Sequence, residues 1–162
     1  MGFQAEPSAG TADGGSLLRD CPFATVDQAN PSAQADEAFT AGSAGPDVSE
    51  TLLQYPVSVA KGQMKQFAET AIACSSFAAN EQGLVLRVAL VREAFPSFGD
   101  DTIALRISAV VVTRENLTID SDVIAVRRGG TVLLVTNVGM PLNTGLSRTL
   151  VAAAYGKVPR KW

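Results

Sequence analysis

The chain has 162 residues, a formal net charge of −3, 46% apolar residues and 18% charged ones. A chain of that size can bury about 70% of the surface its unfolded form exposes, and its composition is globular and not disordered. The mild acidic balance argues against general nucleic-acid binding. No apolar stretch approaches the roughly 20 residues of a membrane span; runs such as Ile124–Val126 and Val132–Val135 are strand-length.

Residues 1–16 are small, polar and Gly-rich and read as a flexible leader or linker remnant. Residues Ser16 to Asp20 suit one short turn into Cys21, and Pro22 to Gln34 reads as irregular. Extended chain is expected at Glu37–Gly42, then a turn over Ser43-Ala44-Gly45-Pro46-Asp47, then a second strand over Val48–Val57. From 59 to 73 the period changes. Met64, Phe67, Ala68, Ala71 and Ile72 recur at helical spacing, with Lys61, Lys65, Gln66 and Glu69 mostly on the other side, and Cys74 ends the helix.

Four strands follow in this reading: Leu84–Val91, Ile103–Val112, Leu117–Val126 and Thr131–Val138. A loop over Phe95–Asp101 and a tight turn at Arg114-Glu115-Asn116 join the first three. Arg127-Arg128-Gly129-Gly130 makes the last two a hairpin. Leu142, Leu146, Leu150, Val151 and Ala154 predict a second helix to about Gly156. The expected architecture is α+β: a twisted, mainly antiparallel six-stranded sheet with two helices packed on one face. The domain runs from 17 to 157, with 158–162 as a tail.

Cys21 and Cys74 are the only cysteines, and the chain has no histidine. The even count suggests one disulfide and an oxidising compartment. Two buried free thiols are the cytoplasmic alternative. A catalytic thiol ranks last, since no histidine exists to activate it, and a zinc site cannot be completed. Met1-Gly2-Phe3-Gln4 lacks the basic and apolar regions of a signal peptide, so an exported chain would have had its targeting segment cut away.

The remaining candidates are polar residues in apolar surroundings. Arg87 is out of step with Leu86 and Val88, Arg106 with Leu105 and Ile107, and Asp122 shares a strand face with Thr118 and Asp120. With helices on the apolar face, these three would line an open face, either as a ligand cleft or, as the stronger expectation, as solvated ion pairs of little energetic value. Asp100-Asp101 could serve acid–base work, but turn chemistry explains it better, and the calcium-loop pattern around it is missing. Gly129-Gly130 and the Gly42–Gly45 region lack the Lys-Ser/Thr ending of a phosphate loop. Asn116-Leu117-Thr118 matches a glycosylation sequon, a match three residues make by chance. Phe95 and Phe98 are read as a lid folded over the core, with a partner anchor as the alternative. Lys157, Arg160 and Lys161 carry too little charge for a membrane-surface patch.

Four features together resemble the PknH-type extracellular sensor domain of actinobacteria, which occurs outside membrane-anchored kinases and in stand-alone lipoproteins. They are the helix ending in Cys74-Ser75-Ser76-Phe77, the segment Phe98–Arg106, the hairpin Val123–Val135, and a helix within the final twenty residues. The resemblance spans about residues 17–157. It implies a twisted six-stranded sheet flanked by two helices, a solvent-exposed cleft, and a disulfide between Cys74 and Cys21. It assigns no ligand residue.

The expected function is an extracytoplasmic, cell-surface, non-catalytic ligand-binding or sensor domain, membrane-anchored in the full-length protein. Arg87, Arg106 and Asp122 are its candidate ligand residues, with no metal and no cofactor. The expected partners are a small-molecule or cell-envelope ligand and a protein at the membrane, with no nucleic acid. A cell-envelope protein-interaction module without a small-molecule ligand is the first alternative. A hydrolase using carboxylates such as Asp100 and Asp101 is the second.

Overall fold

Among the described residues every strand joins one antiparallel sheet, and the two helices lie on its opposite faces. The computed structural model describes residues 4–6, 21, 30–41, 45–81, 83–113 and 117–159. In chain order the elements are β1 (Gln4–Glu6), β2 (Ala33–Thr40), β3 (Asp47–Gln54), α1 (Val57–Ala73), β4 (Ser76–Glu81), β5 (Leu84–Glu93), β6 (Asp101–Val111), β7 (Thr118–Arg128), β8 (Thr131–Gly139) and α2 (Thr144–Lys157). The sheet order is β1-β2-β3-β8-β7-β6-β5-β4. Strands adjacent in the chain pair antiparallel except β3 and β4; β3 pairs with β8 instead.

The fold class is as expected, with two corrections. The sheet holds seven strands of six or more residues, plus the three-residue edge strand β1, and not six. The additions are β4, which pairs with β5 across the turn at Gly83, and β1, which lies within the expected leader. The rest of residues 1–20 lies outside the described residues, as does the turn at Arg114–Asn116.

The second correction concerns the helices. Side chains alternate between the faces of a strand, and on β6 to β8 both sets are buried. Leu105, Val123 and Val132 belong to one apolar cluster, which includes Ala60 and Met64 of α1. Ala104, Ile124 and Leu133 belong to another, which includes Val151 and Ala154 of α2. The helices therefore cover opposite faces, and residues 121–127 of β7 are all buried. A near-continuous apolar strand covered on both sides is the expected consequence. Fully burying one such valine or leucine contributes about 1.5–3 kcal/mol.

Each helix shows why it docks as it does. In α1, Ala60, Met64 and Ala71 are buried one to two turns apart, with Phe67 and Ala68 partly buried beside them. Ile72, expected on the inner face, is 79% exposed. In α2 the buried stripe is Ser147, Val151 and Ala154. The Asn143 side chain caps the helix, accepting from the Leu146 N–H at 3.1 Å. Cys74 ends α1, and its Sγ is bonded to that of Cys21, with the Cα atoms 5.9 Å apart. Both half-cystines are buried, and they close a separation of 53 residues.

Candidate functional site

Arg106, Asp122 and Asn137 occupy one rung across β6, β7 and β8, because the register sets Arg106 opposite Asp122 and Asp122 opposite Asn137. The rung continues to Val91 on β5 and to Val48 on β3. It lies on the α2 side of the sheet.

Arg106 is shared by two carboxylates. Its Nη1 and Nη2 meet Glu93 Oε1 and Oε2, each at 2.9 Å. Its Nε and Nη2 meet Asp122 Oδ1 at 3.1 and 3.0 Å. Asp122 Oδ2 accepts from the Ser147 hydroxyl at 2.5 Å. Ser147 Oγ in turn accepts from Asn137 Nδ2 at 2.9 Å, and the same amide donates to the Asn143 carbonyl at 3.0 Å. One chain of hydrogen bonds thus runs from a sheet-surface ion pair to the first turn of α2. Asn137 Oδ1 is buried and lacks a partner.

The chemistry open to this group is narrow. Four contacts of the guanidinium go to two carboxylates, which neutralise its charge and occupy both of its bidentate edges. Ser147 and Asn137 are fully buried, and the Ser147 proton is committed to Asp122. One rung along, Ser108 donates to Asp120 at 2.5 Å.

Of the three residues singled out from the sequence, Arg106 and Asp122 come together and Arg87 does not. Arg87 lies opposite Ala78 and Val110, two rungs from Arg106, and is exposed. The expectation that all three line an open face is also corrected: Asp122 is buried beneath the start of α2. On this face the half made by β4, β5 and the outer part of β6 stays open. There Val85, Arg87, Ala89 and Val91 alternate outward, with Val91 61% exposed.

Asp100 and Asp101 hold an arginine. Arg127 is buried and donates to Asp101 Oδ2 at 2.6 Å and to Asp100 Oδ2 at 3.0 Å. The Gly129 N–H also donates to Asp100 Oδ2, at 2.8 Å. That backbone donor, with Arg127 behind it, holds the Asp100 carboxyl below its usual range against some loss of hydration. Phe95 and Phe98 pack on the α2-side core, and Phe98 meets Tyr155 edge-on with centroids 5.7 Å apart. Arg128 lies over the Tyr155 ring at 4.8 Å. Lys157 ends α2; Arg160 and Lys161 lie outside the described residues.

Glu93, Asn137, Ser147 and Arg127 escaped the sequence reading. The available signal was a polar residue in an apolar run: Asn137 in Val132–Gly139, and Ser147 one turn before Val151. Among the described residues, no group of three His, Cys, Asp or Glu side chains is placed to hold a metal. None of the described helices is long and apolar enough to cross a membrane. No protein-family model and no curated protein matches the chain.

Proposed function

We propose that this chain is an extracytoplasmic, non-catalytic binding or sensor module of the PknH-type extracellular kind, tethered to a membrane in the full-length protein. The observation that carries the reading is the buried Cys21–Cys74 disulfide, which suits an oxidising compartment. The ordered motifs Cys74–Phe77, Phe98–Arg106 and Val123–Val135 support the family reading. The polar groups support binding over catalysis. Arg106, Asp122 and Arg127 are each committed to structural partners, and Asp100 and Asp101 both serve Arg127.

The ligand surface in this reading is the open half-face of β4 to β6. Its valines and Arg87 suit a ligand with an apolar body and an anionic group. Arg106 and Asp122 act beneath its margin as a scaffold. A protein partner is the second reading, favoured by the exposed Val85 and Val91 on this face. Native mass spectrometry of protein purified from its own host tests both. A recurring added mass that disappears in Val91→Asp supports the small ligand. A clean apo protein overturns the small ligand, and cross-linking through an Arg87→Cys probe then tests for a protein partner.

A further inference from the structure

β4 is one edge of the sheet, and among the described residues no strand pairs with its outer side. The Leu90 N–H donates to the Ser75 carbonyl at 3.0 Å. Opposed residues of an antiparallel pair alternate between hydrogen-bonded and not. Phe77 and Ala79, set opposite Val88 and Leu86, therefore exchange bonds with β5. The N–H and C=O groups of Ser76, Ala78 and Asn80 point the other way, outward at the open edge.

An open edge is a template for another strand, and proteins blunt such edges with charges, proline, bulges or short strands. The far edge of this sheet is blunted: β1 has three residues, and β2 behind it carries Asp36 and Glu37. Over Ser76–Asn80, β4 has neither charge nor proline, and its register with β5 runs without a bulge. Ser76, Ala78 and Asn80 are all exposed.

We propose that β4 is a self-association edge: a second copy of this chain adds its own β4, antiparallel, across a two-fold axis at Ala78. The strand is complementary to itself in that register. Ala78 faces Ala78, Ser76 faces Asn80, and Phe77 faces Ala79, a large side chain against a small one in each half. No charge meets its like, since Glu81 at the strand's end falls opposite Ser75. The contact uses the same patch on both copies, so it closes at two. Arg87 lies opposite Ala78 within each chain, so the central rung on the α2 side reads Arg87, Ala78, Ala78, Arg87. The two arginine-bearing strands stand three strand spacings apart, about 14 Å. That exceeds the screening length of about 8 Å at physiological salt, so the arginines do not oppose the pairing. The two open half-faces become one continuous surface. The association stands whether or not that surface takes a ligand.

Sedimentation of the intact, oxidised chain from about 10 μM to about 1 mM tests it. A reversible monomer–dimer equilibrium is expected, because one short strand pairing belongs with the weak interfaces below about 1,200 Å². Ala78→Pro removes the outward N–H and no bond to β5. It should weaken the dimer about tenfold or more. Two charge variants test the register. Ser76→Lys with Asn80→Glu in one chain sets opposite charges across the axis at both ends and should tighten the dimer about two- to tenfold. Ser76→Lys with Asn80→Lys should loosen it by a similar factor. A chain that stays monomeric at the highest concentration, as it would if the edge served a strand of another protein, overturns the proposal. So does a dimer indifferent to the charge variants, or assembly beyond two copies.

Discussion

Ser147 of α2 donates its hydroxyl proton to Asp122 of β7 at 2.5 Å, so a helix that is otherwise apolar on its inner face is anchored to a buried carboxylate. The bond sets both the height and the rotation of α2. Ser147→Ala removes the donor to Asp122 and the acceptor for Asn137 Nδ2. Hydrogen bonds to charged groups contribute about 1.5–3 kcal/mol. A loss of that size in urea unfolding, with an unchanged denaturant slope, is the expected result.

Arg106 and Asp122 should be coupled far beyond a surface ion pair. The Asp122 side chain is 5% exposed and that of Arg106 30%. Removing one partner of a buried pair costs about 3–5 kcal/mol; the exposure of Arg106 and its second partner Glu93 bring the expectation for Arg106→Met to about 2 kcal/mol. Arg106→Met combined with Asp122→Leu should recover part of that loss. A double-mutant cycle that shows simple additivity would contradict the arrangement.

Gly99 is a position where only glycine fits. Its φ is +60°, and a Cβ there would collide with the Arg127 carbonyl oxygen. Gly83 has a φ of +81° but open space around it. Gly99→Ala should cost about 1–3 kcal/mol or more, and Gly83→Ala only the backbone share of about 1 kcal/mol. Thermal unfolding of the two variants side by side separates collision from conformational preference.

Acid should act through Asp100. A carboxyl held below its ordinary value of 3.8 contributes stability that is present above that value and disappears as pH falls through the folded one. Asp100→Asn should therefore lose stability less steeply than the parent below about pH 4, while losing some at neutral pH. Melting temperature followed against pH provides the comparison.

Reduction should be costly. Cross-linking Cys21 to Cys74 over a separation of 53 residues removes chain entropy worth about 4 kcal/mol in the usual loop model. The native chain should label at neither cysteine, and the double Cys→Ser variant should melt well below the parent. Quantitative labelling of both thiols in the exported protein would remove the argument for an oxidising compartment.

Strands β5 to β8 are legible because β5 and β6 alternate apolar and polar residues, β7 and β8 carry strand-length apolar runs, and turn signals bound them, most plainly Gly129-Gly130. β4 is not, because Ser76-Phe77-Ala78-Ala79-Asn80-Glu81 has no β-branched residue, and Phe77 alone marks its inner face. The placement of the helices on opposite faces is obscured in the sequence for a related reason. Val123 to Val126 is apolar without interruption, which signals cover on both sides, yet Ile103, Leu105 and Ile107 read easily as a one-sided strand. At the site, Arg106 and Asp122 stood out within their own strands. Glu93 and Ser147 are 13 and 25 residues from the groups they bind, a closeness that only register and helix docking create.

The pairing of β3 with β8 has a consequence for assembly. Residues 47–54 cannot find their sheet partner until residues 131–139 exist, so the two ends of the sheet are joined by the last strand to be synthesised. Contacts of such long sequence separation slow folding, because the loop must close before the pairing is rewarded. The β4–β5–β6–β7 meander can form earlier, and with it the cross-link from Cys74 to Cys21. The last strand thus acts as a keystone: until it arrives, the early hairpin of β2 and β3 is a separate ribbon with one edge waiting.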